Sequence, residues 1–157
     1  MREGLTEEQL GVLRAYDTPT ICNVIEVFAV RGRHEGYMDA RIRACFPEMG
    51  VLVGYAATAT YRAAAPTREG DVYSALDEQV ATFAQVASPP IVVFQDLDVP
   101  AVGASFGEVM CTTYKTFGAA GLVTSGAARD LEQVRGIGFP AFSDGAIPSH
   151  GYGHIVD

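Results

Sequence analysis

Apolar positions recur along this chain with two different periods, and the switches between them outline a series of elements. Thr6-Glu7-Glu8-Gln9 has the form of a capping box ahead of Leu10 and Leu13, which predicts a short first helix. Asp17-Thr18-Pro19 predicts a second. An oxygen-bearing side chain can accept from the first amides, and a proline follows where a missing N–H costs nothing. Ile21, Val24, Ile25 and Phe28 form its expected buried face. Arg31 to Met49 is polar and glycine-containing, which predicts a loop with one short extended piece. Val51 to Ala65, rich in Val, Tyr, Thr and Ala with partial alternation, predicts one long strand. After a turn over Pro66 to Asp71, Asp71 is placed to cap a helix carrying Val72, Leu76, Val80 and Phe83 on one face. Ser88-Pro89-Pro90 ends it. Ile91-Val92-Val93-Phe94 then predicts a compact buried strand running into Gln95-Asp96-Leu97-Asp98.

The stretch from Gly103 to Asp130 carries the clearest pattern. Phe106, Val109, Met110, Thr113, Tyr114 and Phe117 fall at i, i+3, i+4, i+7, i+8 and i+11, the stripe of a helix with one buried face. Gly118 supplies a left-handed stop. Ala119 to Thr124 predicts a short buried strand, Ser125-Gly126 breaks it, and Asp130 opens a short helix bearing Leu131 and Val134. Gly136 and Gly138 end that helix, and Phe139 to Phe142 predicts a strand. The remainder is a glycine-rich tail with Asp144, His150, Tyr152 and His154. Strand and helix alternate from about residue 52, which predicts an α/β fold in a single domain over 1–157. Ligands of open α/β sheets gather beyond the carboxyl ends of strands. Asp96/Asp98, Ser125 and Ser143/Asp144 all follow such ends, which places them on one rim.

Composition narrows the function classes. The 157 residues are 48% hydrophobic, enough for one real core. A net charge of −8 and a pI near 4.8 disfavour direct nucleic-acid binding, which needs clustered Lys and Arg. The four arginines at 31, 33, 41 and 43 read as a solvated loop rather than an anion site. No run of about 18 apolar residues predicts a membrane span, and the acidic, polar N-terminus does not resemble a secretory signal. Three widely spaced cysteines, Cys22, Cys45 and Cys111, fit reduced core thiols of a cytoplasmic protein. Neither GxGxxG nor GxxxxGK[ST] occurs, which disfavours dinucleotide and P-loop sites. The sequence stops at His154-Ile155-Val156-Asp157, where an apolar strand is starting. That leaves open a ragged domain end or a piece of a longer protein.

The candidate chemistry sits around the helix that follows Ser105. Its first amides lack internal partners and carry the positive end of the helix dipole, so they can receive an anion. Gly103 and Gly107 allow a ligand close to the backbone. Glu108 in the first turn and the Arg129-Asp130 pair could together hold a small carboxylate and a divalent metal. Each has an ordinary role as well. Asp130 can cap the helix at Leu131, Arg129 can pair at the surface, and Glu108 can complement the dipole. His150 and His154 are four apart among glycines that argue against a helix, so they read as tail rather than metal ligands. Lys115 has no evident burial to make it a Schiff-base lysine, and Asp96 and Asp98 read as loop-capping carboxylates.

These motifs resemble the family of regulator-of-ribonuclease-activity-A-like proteins, which includes the class II 4-hydroxy-4-methyl-2-oxoglutarate aldolases. Gly107-Glu108 matches its Gly-acid helix opening, and Gly126-Ala127-Ala128-Arg129-Asp130 its Gly-x-x-Arg-Asp turn. Asp17-Thr18-Pro19-Thr20, Val53-Gly54-Tyr55-Ala56 and Gly138-Phe139-Pro140-Ala141-Phe142 match three further family segments in order. The resemblance implies a swivelling β/β/α fold and a homo-oligomer, a trimer or a pair of trimers, with the site between subunits. It implies Mg²⁺ or Mn²⁺ as cofactor, retro-aldol cleavage of a small 4-hydroxy-2-oxo acid to pyruvate, and oxaloacetate decarboxylation through the same enolate. By position, Arg129 would bind the substrate carboxylate and keto oxygen, Asp130 would ligate the metal, and Glu108 would hold a metal-bound water. Gly107 and the amides of Val109 and Met110 would receive the carboxylate. Two departures stand out. Ser125 occupies a position where the family often has Asp, and the family's later Gly-Gly-Val, Pro-Gly-Asp and Asp-x-x-Gly-Val segments are not in this sequence. Some relatives lack the Arg-Asp pair and bind ribonuclease E or helicases instead, so the alternative expectation is a non-catalytic regulator of an RNA-processing protein.

Overall fold

The N-terminal signals act as their chemistry dictates. In the computed structural model, which describes residues 4–66, 74–150 and 153–157, Thr6 and Gln9 form the reciprocal capping box that opens α1 (Glu7–Arg14). Asp17 accepts from the Thr20 amide at 2.9 Å and opens α2 (Thr18–Val27), with proline in its first turn. Only Leu10 of α1 is buried. The expected buried face of α2 is only half covered. Ile21 and Ile25 are half-buried, whereas Val24 and Phe28 are exposed, as is neighbouring Val27 at 82%. The periodicity forms the helix, but little of this chain packs against its apolar stripe.

The loop after α2 contains a two-residue strand, β1 (Arg43–Ala44), and a 3₁₀ turn over Pro47–Met49. Two of its four arginines pair with acids, Arg33 with Glu26 and Arg41 with Asp39 and Asp144, and Arg43 donates to Ala40 O, as suits a solvated loop. The long strand is shorter than its composition predicts, β2 (Tyr55–Arg62), because 51–54 and 63–65 leave the ladder. The helix α3 (Ser74–Thr82) continues into a 3₁₀ turn at Phe83–Gln85, with Leu76 buried beneath it. Asp71 and Val72 lie outside the described residues. Then follow β3 (Pro90–Asp96), β4 (Ala104–Phe106), α4 (Glu108–Thr116), β5 (Gly121–Thr124), β6 (Ala127–Ala128), α5 (Leu131–Gly136), β7 (Ala141–Ser143) and β8 (His154–Ile155).

Six strands form one sheet in the order β1-β7-β5-β3-β2-β8. The four inner strands are parallel, and the two edges, β1 and β8, run antiparallel. β4 and β6 pair separately as a small parallel sheet beyond the C-terminal ends of β3 and β5. Parallel strands need crossovers, and α3, α4 and α5 provide them. Val92, Phe94, Phe106, Tyr114, Leu122, Val134 and Phe139 are almost fully buried and belong to one core cluster. Among the described residues no helix is long and apolar enough to cross a membrane.

α4 buries part of the stripe its spacing suggests and leaves the rest exposed. Phe106 ends β4, and Cys111 and Tyr114 face the core, with Met110 packed beside them. Val109 and Phe117 are 58% and 60% exposed. Spacing alone cannot tell a strand residue just before a helix from a residue in its first turn. Gly118 does end the helix, at φ +91°. Tyr114 is wholly buried and donates from its hydroxyl to Gln79 Oε1 at 2.5 Å, tying α4 to α3.

The rim beyond β3 is held by one buried carboxylate. Asp96 accepts from Ser105 Oγ at 3.0 Å and from the Asp98 amide at 2.9 Å, while its own amide donates to Ser125 Oγ at 2.9 Å. Ser125 therefore closes this corner as a hydroxyl acceptor. A Cβ on Gly126 would fall 2.0 Å from Ser105 Oγ, so only glycine lets β5 turn here. Burial raises the Asp96 pKa, against the hydrogen bonds from Asp98 and Ser105 that lower it.

Two predictions follow from this packing. Tyr114→Phe leaves the buried Gln79 amide without its hydroxyl and should cost about 1–3 kcal/mol in urea unfolding. A raised carboxylate pKa means that the folded state holds the Asp96 proton more tightly than the unfolded chain does. Stability conferred at Asp96 is therefore lost as pH rises from the ordinary carboxylate value through the raised one. Urea unfolding of wild type and Asp96→Asn should show the wild type losing stability relative to the variant between pH 4 and pH 7.

Candidate active site at the start of helix α4

Three chain segments meet where β4 gives way to α4. β4 and β6 pair in parallel, Ala104 with Ala127 and Phe106 with Ala128, with an irregularity at Ser105 that shifts the register between the two pairs. The Arg129 amide extends the pairing to Phe106 O at 3.1 Å. On its other side, β6 is clamped by the segment after β7, through Ala128 N to Gly145 O and Ile147 N to Ala128 O, both at 2.9 Å. Arg129 and Asp130 are thereby delivered to Gly107 from 22 residues further along the chain.

Gly107 caps α4 without a side chain, in an extended conformation that any residue could adopt. Its requirement is space. A Cβ there would stand 2.6 Å from Asp130 Oδ2 and 3.1 Å from Arg129 Nε. Across that gap the Glu108 amide donates to Asp130 Oδ2 at 3.3 Å, and Arg129 Nε lies 3.5 Å from the same oxygen. The first intrahelical bond runs from Cys111 N to Gly107 O, so the amides of Val109 and Met110 have no acceptor within the helix. An N-terminus with a guanidinium and a carboxylate beside it is chemically suited to a small anion and a cation together.

Asp130 does not act as the ordinary cap of α5. No hydrogen bond caps that helix from its side chain, and its backbone is left-handed at φ +55°. That conformation is unfavourable for most side chains and best tolerated by Asp and Asn. Its result is that the carboxylate turns back toward α4. Glu108 differs from the expectation, since its carboxylate accepts from Thr112 Oγ1 at 2.7 Å, along its own helix.

Beside this junction lies a hollow of about 610 Å³, counting its open mouth. Gly107, Val109, Met110 and Arg129 line it on one side. Asp130 stands just outside, on a shallower depression that shares Arg129 and runs toward Ala146–Pro148. Tyr61, His150 and His154 line the hollow as well. The two histidines were not expected here. The tail is seated: Ala104 N donates to Ser149 O at 2.8 Å, Tyr61 Oη donates to Ala104 O at 2.7 Å, and β8 pairs with β2. Gly153 fits because a Cβ would clash with Tyr61 Oη at 1.8 Å. The signal in the sequence was Gly153, which marks close packing here rather than a loose tail. Burial, with the Asp96 charge next in weight, drives the Tyr61 hydroxyl well above its ordinary pKa, so it stays a neutral donor.

The remaining candidates resolve simply. Among the described residues no cluster of three or more His, Cys, Asp or Glu could hold a metal by side chains alone. The oxygen donors of Asp130 and Glu108 suit a hard divalent ion that keeps several waters, and the absence of a Cβ at Gly107 is what lets the Asp130 carboxylate come this close to the helix start. Cys111 is fully buried, and burial drives its thiol far up from the ordinary range, which rules out a resting nucleophile. Lys115 donates to Ile137 O and Gly138 O at the end of α5. Asp98 accepts from the amides of Ala63 and Ala64 at 2.7 and 2.8 Å, a loop-capping role as expected.

Comparisons with known proteins bear on this geometry. The profile of the RraA-like family, described as Aldolase/RraA, matches residues 18–155. No curated protein sequence matches the chain. A protein described among novel cellulases from gut-associated microbes superposes with a TM-score of 0.78 at 18% identity, covering 100% of this chain and 68% of its own. An uncharacterised protein of Pseudomonas syringae pv. tomato gives 0.70 at 20% identity, with coverages of 100% and 66%. Streptomyces coelicolor RraAS2, an unusual member of the RNase ES inhibitor RraA family, gives 0.65 at 20% identity, with coverages of 98% and 72%. At such identities these structures establish a shared fold, and the chain spans about two thirds to three quarters of their lengths. With its Gly-acid helix opening and Arg-Asp turn assembled on that fold, and with the family profile running through nearly all of it, this chain belongs to the RraA-like family.

Proposed function

We propose that this protein is a divalent-metal-dependent lyase that cleaves a small 4-hydroxy-2-oxo acid to pyruvate and also decarboxylates oxaloacetate. The observation that carries the reading is Asp130, whose carboxylate leaves its own helix uncapped and reaches back to the Glu108 amide beside Arg129. The family includes aldolase-type enzymes, which supports the class of reaction.

On this reading Asp130 holds Mg²⁺ or Mn²⁺ directly and Glu108 does so through a water, once its carboxylate swings from Thr112. The ion, when bound, supplies Lewis acidity toward the 2-keto oxygen. Arg129 binds the substrate carboxylate and keto oxygen through its planar fork. The Val109 and Met110 amides take the other carboxylate oxygen at the helix N-terminus. As the C3–C4 bond breaks, negative charge moves onto the enolate oxygen, which Arg129 would stabilise. The reading also includes a homo-oligomer, trimer or hexamer, in the cytoplasm. The exposed Val24, Val27 and Phe28 on α2 support assembly, and three free thiols suit a reducing compartment.

A second reading is a non-catalytic regulator that binds an RNA-processing protein. It draws on the fold shared with RraAS2, a member of an RNase ES inhibitor family, and on the acidic charge of −8. The intact Arg129-Asp130 pair favours the enzyme.

Purified protein with oxaloacetate and Mg²⁺ or Mn²⁺ should release pyruvate above the metal-only background, and EDTA should abolish the release. No metal-dependent pyruvate would count against the lyase, and retention of an RNA-processing enzyme in a pull-down would then favour the regulator. Arg129→Ala should lower kcat by about 10²–10³-fold, the usual effect of removing one preorganised donor. Asp130→Asn should weaken Mn²⁺ binding in calorimetry while leaving the melting temperature near that of wild type.

A further inference from the structure

The threonines of α4 do not behave alike. Thr113 Oγ1 donates to Val109 O at 2.9 Å, and Thr116 Oγ1 to Thr112 O at 2.8 Å. Each bonds back to the carbonyl four residues earlier, a common choice for a threonine inside a helix. Thr112 departs from that habit and gives its hydroxyl to the Glu108 carboxylate at 2.7 Å. Glu108 is the first residue of α4, and its own amide reaches Asp130 Oδ2. This residue is therefore held at both ends, its backbone by Asp130 and its carboxylate by Thr112, a turn further along the helix.

Electrostatics gives that arrangement a reason. An acidic side chain in a first turn gains from the unpaired amides and the dipole at the helix start. Here that position already holds the Asp130 carboxylate. A second carboxylate beside it would face a like charge, which is unfavourable unless a cation stands between the two. Arg129 Nε lies 3.5 Å from Asp130 Oδ2, so its charge is already turned to one carboxylate. The exposed Thr112 hydroxyl offers Glu108 a donor away from that repulsion. A divalent ion at Asp130 reverses the balance, and the Glu108 carboxylate then gains more at the helix start than at Thr112. Such an element has two positions, and a ligand shifts it by as much as it prefers one over the other.

We propose that Thr112 is a positioning residue that stores the Glu108 carboxylate away from Asp130 and thereby sets how tightly a divalent ion is held. This rests on the metal-dependent lyase reading and adds to it the residue that opposes ion binding. Thr112 touches neither ion nor substrate. It acts through Glu108, because the carboxylate must leave the Thr112 hydroxyl before it can serve the ion. The Thr112 side chain is exposed and lies outside the core cluster, so replacing it disturbs no core packing.

Calorimetry with Mn²⁺ and the full chain tests the storage role. Thr112→Val keeps the shape of the side chain and removes the donor. It should bind Mn²⁺ about three- to tenfold more tightly than wild type, the net effect of one competing hydrogen bond at an exposed site. Thr112→Ser keeps the hydroxyl and should bind like wild type. In a Glu108→Ala background, Thr112→Val should change Mn²⁺ binding no further, because the group through which it acts is gone. Unchanged or weaker binding by Thr112→Val overturns the proposal. So does a gain that Thr112→Ser shares, or one that survives in the Glu108→Ala background. Pyruvate release from oxaloacetate separates this failure from failure of the lyase reading. If wild type binds Mn²⁺ and releases pyruvate while Thr112→Val binds no more tightly, the storage role falls and the lyase stands. If wild type neither binds Mn²⁺ nor releases pyruvate, both fall.

Discussion

The close passage of Gly107 past Arg129 and Asp130 is the constraint around which this end of the molecule is arranged. The Gly107 backbone lies so near the Arg129 and Asp130 side chains that one methyl group on it would displace a carboxylate oxygen 2.6 Å away. The approach is fixed by three-residue β4 and two-residue β6, too short to be stable alone. They hold because Phe106 and Ala128 are buried in the common core and because the segment after β7 clamps β6 from its other side. A site built this way draws its precision from the packing of the domain. Its own few hydrogen bonds are partly exposed and could not supply it.

The rim below is organised by the same economy of space. Asp96 gathers Ser105, Asp98 and Ser125, and Gly126 passes where any larger residue would strike that cluster. A buried carboxylate satisfied by two donors fixes where β3 ends and where β4 begins. Asp96 therefore acts on the site indirectly, by setting the position from which Phe106 and Gly107 continue. Ser125 serves the same corner by accepting the Asp96 amide, a role its hydroxyl fills without a charge. Across the sheet, Tyr114 and Gln79 tie α4 to α3, so the helix whose amides face the site is anchored at a buried polar contact.

Much of this was legible in the sequence where the controlling interactions are local. The capping box at Thr6, the Asp17 cap, the Gly118 stop and the apolar run Ile91–Phe94 each depend on residues within a few positions of one another. The family motifs likewise named Gly107, Glu108, Arg129 and Asp130 as neighbours. What misled was periodicity taken without a partner surface. The stripe from Phe106 to Phe117 holds at Met110 and Tyr114 but fails at Val109 and Phe117, while Cys111 is buried outside it, and the apolar face of α2 is only half covered by this chain. The hydrophobic pattern records that a face wants burial, but not which surface buries it.

The sequence by itself determined the order of elements, the turns that glycine, proline and the capping side chains enforce, and the family pattern that points to the Arg-Asp pair. These are encoded in dihedral preferences and in hydrogen bonds between near neighbours. Only the tertiary structure decided that Asp130 turns from its own helix to α4, that Glu108 lies along Thr112, and that His150 and His154 line the same hollow as Arg129. Each of those outcomes depends on contacts between residues far apart in the chain. Their energies are settled by which side chains fill the shared space once the sheet has closed, and no short window of sequence contains that information.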